Sequence, residues 1–396
     1  MMEELYEIKQ ELARGNQGVV RLCTHKASGQ DFACKSTFLE SSSAGRGLLT
    51  TPPCRRGDPS SYARAEAATL SALRAHPNVV FLHALFEEES SFHLILELCR
   101  GGDLLTHVSW LQSQKRGDLA STSCLEDGDT PPLPPPHLPS LDHASTSCRD
   151  NGDAESPPHP PPPHSLPSDW LLTESQVAEI FFAALRAVAF CHGRGIMHGD
   201  IKMENLLLPC EGCNYTEIKL ADFGFASEFW DLSGQRKMVY RGRGTLPYMA
   251  PEMLKARPYD EKADIWSLGV LLFFLLCWQY PFQGKTRQEV LNAMDKLQYP
   301  NWEQYVPSPI ASPLVKDILK KMLVADPMAR HPACFLLSHP WLKEHHLAGP
   351  QPTSDKIDQP PLDLSDVPSI GDIETAVQPL CSIDLSQMAS TCTTVG

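Results

Sequence analysis

The stretch His198-Gly199-Asp200-Ile201-Lys202-Met203-Glu204-Asn205 constrains this chain more than any other. A carboxylate, a lysine two residues on and an amide three further fit a single loop. A second carboxylate, Asp222, stands before Phe223-Gly224 and follows the mostly apolar run Ile218-Lys219-Leu220-Ala221. Phosphoryl transfer needs this layout: an acid for the incoming hydroxyl, a cation for the phosphate, and an acid plus an amide for Mg²⁺.

These runs resemble the catalytic and metal-binding loops of protein kinases, and further motifs of that family follow along the chain. Tyr6 to Gln10 reads as a strand leading into Leu12-Ala13-Arg14-Gly15-Asn16-Gln17-Gly18-Val19-Val20, with a second strand over Arg21 to Thr24. Glycines at such a hairpin tip let backbone N–H groups approach phosphate oxygens. The strand with Phe32-Ala33-Cys34-Lys35 comes next, and Lys35 matches the lysine that contacts the α- and β-phosphates. A helical pattern runs from Tyr62 to about Arg74. Its glutamate partner for Lys35 depends on register. Counting back from His76-Pro77-Asn78 gives Ala67, unless Ala75 is an extra turn residue as in plant calcium-dependent kinases. Glu66 is then the partner.

Glu97-Leu98-Cys99 resembles the hinge whose backbone holds adenine, and Asp103 matches an acid that contacts ribose, with a helix N-cap as the bland alternative. Thr173 with Gln176 makes a capping box ahead of a helix through His192. Gly244-Thr245-Leu246-Pro247-Tyr248-Met249-Ala250-Pro251-Glu252 resembles the close of an activation segment. Asp264 matches an acid that holds the catalytic-loop backbone, and Arg330 is the expected ion-pair partner of Glu252. Cys210-Glu211-Gly212-Cys213 reads as a hairpin turn, with half a metal site as its weaker alternative.

The resemblance covers residues 6–342 and is nearest to the calcium/calmodulin-dependent group, especially plant calcium-dependent kinase catalytic domains, without an EF-hand loop. It implies an α+β bilobal fold, with a small β-rich N-lobe and a larger, mainly helical C-lobe. It implies a serine/threonine kinase, ATP and Mg²⁺ as cofactors, protein substrates with basic residues ahead of the target, and a monomeric chain. Asp200 and Lys202 would be catalytic, and Asn205 and Asp222 metal-binding. Leu12, Gly15, Gly18, Val20, Ala33, Lys35, Glu66, Glu97, Cys99, Asp103 and Leu207 would surround the nucleotide.

Three positions depart from the family pattern: Ala13 for the first loop glycine, Met203 for proline, and Gly199 for the arginine preceding the catalytic acid. That arginine reads a phosphorylated activation-loop residue, so its loss implies activity independent of that phosphate. A pseudokinase scaffold and a proline-motif adaptor remain as other readings.

Composition bounds the rest. The chain has 396 residues and a net charge of −14, which excludes nucleic acid or an anionic membrane as the default partner. Residues 112–168 and 351–396 carry −11 of that charge. The first is rich in proline and acid and the second in acid, so 112–168 and the tail from 349 are expected to be disordered. Its proline runs at 131–163 could dock a proline-recognition domain. Residues 39–60 read as a loop insertion in the N-lobe. Thirteen scattered cysteines suit reduced thiols. No signal peptide, lipidation motif or membrane-length apolar run is seen, so the expected location is the cytoplasm, with the nucleus as the alternative.

Overall fold

Period-two patterning in the first hundred residues produces an antiparallel sheet. In the computed structural model, which describes residues 2–15, 18–38, 59–74, 76–121, 172–230, 236–240, 242–296 and 311–346, a short helix α1 (Met2–Leu5) precedes β1 (Tyr6–Gly15), β2 (Gly18–His25) and β3 (Asp31–Phe38). Helix α2 (Pro59–Ala72) follows, then β4 (Leu82–Glu88) and β5 (Ser91–Glu97). The strands lie in the order β1-β2-β3-β5-β4. Strand β3 is central and buried on both faces. Alternation sends Phe32 and Cys34 into an outer cluster with Tyr6, Cys23, Phe86 and Ile95, and Lys35 to the opposite face, where α2 packs.

The remainder is mainly helical: α3 (Leu104–Ser121), α4 (Glu174–His192), α5 (Pro251–Leu254), α6 (Lys262–Cys277), α7 (Arg287–Lys296), α8 (Pro313–Met322), α9 (Ala333–Leu336) and α10 (Pro340–His346). Two small ribbons pair β6 (Ile196–Met197) with β9 (Ser227–Glu228), and β7 (Leu206–Leu207) with β8 (Lys219–Leu220). This is the bilobal α+β arrangement.

The expected capping box is present. Thr173 Oγ1 accepts the Gln176 N–H at 3.2 Å, and Gln176 Oε1 accepts the Thr173 N–H at 2.9 Å. Helix α6 is apolar all round and buried from Ala263 to Cys277, as a helix enclosed by others must be. Helix α10 anchors through Trp341, whose Nε1–H donates to Glu174 at 2.7 Å.

Two boundaries differ from the sequence reading. Helix α3 continues through residues 112–121, which composition had assigned to the disordered insertion. Gln112, Gln114, Lys115 and Arg116 are good helix formers, and the proline runs begin only at Pro131, so nothing local stops the helix at 112. The loop insertion read over 39–60 ends earlier than expected, since Pro59 and Ser60 already belong to α2; residues 39–58, the proline-rich stretch and the tail from 349 lie outside the described residues.

Candidate active site

Residues far apart in sequence converge where the sheet meets the helical lobe. Strand β3 and helix α2 bring Lys35 to Glu66. The ammonium lies 2.6 Å and 2.9 Å from the two carboxylate oxygens and 2.8 Å from Asp222 Oδ1. Ala67 is buried in the core instead, so Glu66 is the partner of Lys35. Burial alone would depress the Lys35 ammonium; the Asp222 and Glu66 carboxylates outweigh it and hold it above its usual range. Burial pushes the Glu66 carboxyl up, despite Lys35. It would raise Asp222 too, but there Lys35 prevails and the group stays below the usual carboxylate range.

The β1–β2 hairpin spans Gly15 and Gly18, which are register partners. Gly18 has φ +144°, and a Cβ there would sit 2.2 Å from the Ser36 carbonyl oxygen, so only glycine fits. Gly15 is exposed, with open space around it. Ala13 is exposed opposite Val20, and its methyl enters no packed space. Leu12 and Val20 are half-buried, and Ala33 is buried beside Lys35.

Glu97, which the resemblance puts at the hinge, closes β5; its N–H donates to Phe81 O at 2.9 Å and its carboxylate pairs with Lys219 at 3.0 Å. Among the described residues the Cys99 N–H has no hydrogen-bond partner. Leu207 is bridged to Asp103. The Asp103 carboxylate accepts from Thr106 N at 2.9 Å and Thr106 Oγ1 at 2.8 Å, so it caps α3.

The catalytic-type loop is organised from beneath by Asp264 at the start of α6. Its carboxylate accepts the N–H groups of His198 and Gly199, each at 2.8 Å, and meets His192 Nε2 at 2.8 Å. Burial would raise the Asp264 carboxyl, but the His192 ring and the loop hold it below its usual range. His198 carries the order further. Its Nδ1 accepts the Asp200 N–H at 3.2 Å, which leaves Nε2 to donate to Ala221 O at 3.1 Å and tie this loop to Asp222. Asp222 sits at φ +60°, a left-handed conformation that costs a non-glycine residue about 1 kcal/mol.

Asp200 is the centre of a compact network. Oδ1 accepts Thr245 N at 2.9 Å and Thr245 Oγ1 at 2.8 Å, and Oδ2 lies 2.8 Å from Lys202 Nζ. Lys202 also reaches Thr245 Oγ1 at 3.0 Å, and Asn205 Nδ2 donates to the Asp200 carbonyl at 2.8 Å. Asn205 Oδ1 and Asp222 Oδ2 accept no hydrogen bond among the described residues. Two hard oxygen donors are thereby left for a cation.

Several contributors carried no sequence signal. Thr245 could be placed in a motif but not against Asp200. Arg243 Nη2 donates to Tyr62 Oη at 3.1 Å and its guanidinium lies 5.2 Å from that ring, which joins the activation segment to α2. Tyr62 precedes Glu66 by one helical turn and shares its face. Arg236 pairs with Asp260 and, through both guanidinium nitrogens, with Glu261 at 3.0 Å and 2.5 Å. Gly199 has φ +82°, and a cavity of about 240 Å³ lies beside it, bordered by Tyr62, Glu66, Phe223 and Arg243.

The family model described as "Protein kinase domain" matches residues 6–124 and 164–342. Calcium-dependent protein kinase 2 of Oryza sativa subsp. japonica is 30% identical over 356 residues, covering 90% of this chain and 54% of that protein. Calcium-dependent protein kinases 19 and 34 of Arabidopsis thaliana are 29% and 30% identical, covering 90% and 86% of this chain and 51% and 50% of their own lengths. The chain thus spans about half the length of the curated relatives it matches. Among the described residues no helix is long and apolar enough to cross a membrane. With the matched segments reaching from β1 to α10, this chain belongs to the protein kinase family.

Proposed function

We propose that this chain is a catalytically active serine/threonine protein kinase that transfers the ATP γ-phosphate to protein hydroxyls. The observation that carries this reading is the Asp200–Lys202–Thr245–Asn205 network, complete beside an equally complete Lys35–Glu66–Asp222 cluster. Members of this family use ATP with Mg²⁺. Asp222 and Asn205 fit Mg²⁺, which takes one or two carboxylates plus substrate phosphates rather than an all-protein cage. Bound there, the ion would neutralise phosphate charge. Asp200 accepts the hydroxyl hydrogen and orients the nucleophile. Lys202 balances charge at the transferred group, and Thr245 fixes both. Lys35, braced by Glu66, positions the nucleotide under Gly15 and Gly18. Incubation with Mg²⁺-ATP and a mixed peptide library tests the acceptor: label is expected on serine and threonine peptides, and label on tyrosine peptides alone would refute it.

Substrate preference follows from Glu204. Its side chain is half-buried, Oε2 is shielded without a hydrogen-bond partner among the described residues, and burial lifts its carboxyl above the usual range. A substrate arginine or lysine N-terminal to the target would supply the missing partner. Asp103, with both oxygens engaged by Thr106, is the weaker reader. Glu204→Gln should reduce the preference for a basic residue about tenfold or more, the worth of a charged hydrogen bond. Asp103→Asn should do less. An unchanged peptide profile in the double variant would remove the idea.

Independence from activation-loop phosphorylation has two supports. Gly199 offers no cation to a phosphate. The segment is also anchored without one: β9 pairs with β6, Val239 and Tyr259 exchange hydrogen bonds at 2.8 Å and 3.0 Å, and Arg236 and Arg243 hold Asp260, Glu261 and Tyr62. The triple variant Ser227→Ala, Ser233→Ala, Tyr240→Phe is therefore expected to retain activity within about twofold, the surface-substitution range. Ser233 lies outside the described residues. Near-complete loss in a normally folded variant would show that the phosphate is needed.

A further inference from the structure

The Cys210–Cys213 pair has no place in phosphoryl transfer, yet it sits directly under the hinge. Cys213 N–H donates to Cys210 O at 3.4 Å, closing a four-residue turn. Gly212 has φ +68° while Glu211 is not among the residues with positive φ, which makes the turn type II. Such a turn holds its outer Cα atoms within about 7 Å, and a disulfide needs roughly 4.4–6.8 Å. Cys210 is exposed and Cys213 half-buried, and both are free thiols. Burial pushes the Cys213 thiol up, and the neighbouring Cys210 thiol also raises it. A half metal site would need further ligands, and no group of three or more His, Cys, Asp or Glu that could hold a metal occurs among the described residues.

The turn is continuous with the nucleotide side of the site. Arg100 N–H donates to Pro209 O at 2.9 Å, Gly101 N–H to Leu208 O at 3.0 Å, and Leu208 N–H to Gly102 O at 2.9 Å. A Cβ on Gly101 would lie 2.6 Å from the Cys210 carbonyl oxygen, so the turn backbone rests against the hinge with no side chain between them.

We propose that Cys210 and Cys213 form a reversible disulfide whose closure weakens nucleotide binding; the second half of this rests on the nucleotide-site reading above. The oxidant is a small disulfide such as oxidised glutathione. The exposed Cys210 thiolate attacks one of its sulfurs, and one glutathione thiolate leaves. The Cys213 thiolate then attacks the Cys210 sulfur and expels the second. The two cysteines lose two electrons, glutathione disulfide gains them, and both thiol protons end on the two glutathiones. Closure draws Cys210 and Cys213 together and shifts the Pro209 and Leu208 carbonyls that the hinge N–H groups use. Loss of one such bond corresponds to about two- to tenfold in affinity.

The test uses the full chain in reduced and oxidised glutathione. The expected product has lost two hydrogens by intact mass, yields a peptide linking Cys210 to Cys213, and binds Mg²⁺-ATP about two- to tenfold more weakly, reversibly with added thiol. Cys210→Ser and Cys213→Ser are expected to bind ATP like the reduced chain in either buffer. Glutathione left as an adduct on Cys210, a linkage elsewhere, unchanged affinity in the linked form, or a response surviving in Cys210→Ser would each overturn the proposal. A linked turn in a chain that binds no nucleotide when reduced would overturn the nucleotide reading and the coupling together, and the mass measurement alone would then decide the modification.

Discussion

Asp200→Asn is expected to lower the turnover of peptide phosphorylation by about 10³-fold, within the range for losing a positioned general base. That corresponds to roughly 4 kcal/mol of transition-state stabilisation. The amide keeps the shape and can still accept the Thr245 hydrogen bonds at 2.9 Å and 2.8 Å through one oxygen. It cannot accept the hydroxyl hydrogen, and it removes the anion that holds Lys202 at 2.8 Å. Lys35, Glu66 and Asp222 are untouched, so affinity for Mg²⁺-ATP should change by no more than about twofold. Steady-state kinetics and a nucleotide titration on the same preparation check both halves. Equal turnover by wild type and variant would mean that Asp200 does no chemistry.

The second large effect concerns stability. Arg330 is fully enclosed: it pairs with Glu252 at 2.6 Å and 2.7 Å, donates to the carbonyls of Val324, Lys262 and Ala325, and lies 5.1 Å from the Trp266 ring. Arg330→Leu would strand a buried carboxylate and three carbonyls. Breaking a buried pair from one side costs about 3–5 kcal/mol. In a domain of this size that lowers Tm by roughly 10 °C. Adding Glu252→Leu should recover part of the loss, because the orphaned charge goes with it. A shift under about 2 °C in thermal unfolding would mean that the pair contributes little.

Most of the candidate site was legible because it lies in short, contiguous runs. Asp200, Lys202 and Asn205 occupy one loop, and local spacing suffices to group them. Asp264 under that loop and the Glu252–Arg330 pair were placed by motif, and both contacts are present in the structure. Glu66 was harder, because a single turn residue decides between it and Ala67. The contacts of Arg236 and Arg243 were not legible: Arg243 meets Tyr62 across 181 residues, and no local pattern pairs that cation with a helix tyrosine. Residues 112–121 went with the insertion because its proline and acid content was read over 112–168 as a whole, although its first residues favour helix. Gly199 was visible as a departure, but its φ of +82° was not. A side chain there would be strained and would meet the Phe225 carbonyl at 3.0 Å, so glycine relaxes the loop.

If catalysis is intact and the switch altered, the chain should act without phosphate on its activation segment. The full chain is stripped of phosphate with a phosphatase, confirmed bare by intact mass, separated from the phosphatase and mixed with Mg²⁺-ATP and a serine peptide carrying basic residues ahead of the target. Linear phosphate transfer from the first time point, with a rate per enzyme that does not change with enzyme concentration, is the expected result. No transfer, or a lag that shortens as the enzyme is concentrated and phosphate appears in its own activation segment, would contradict it.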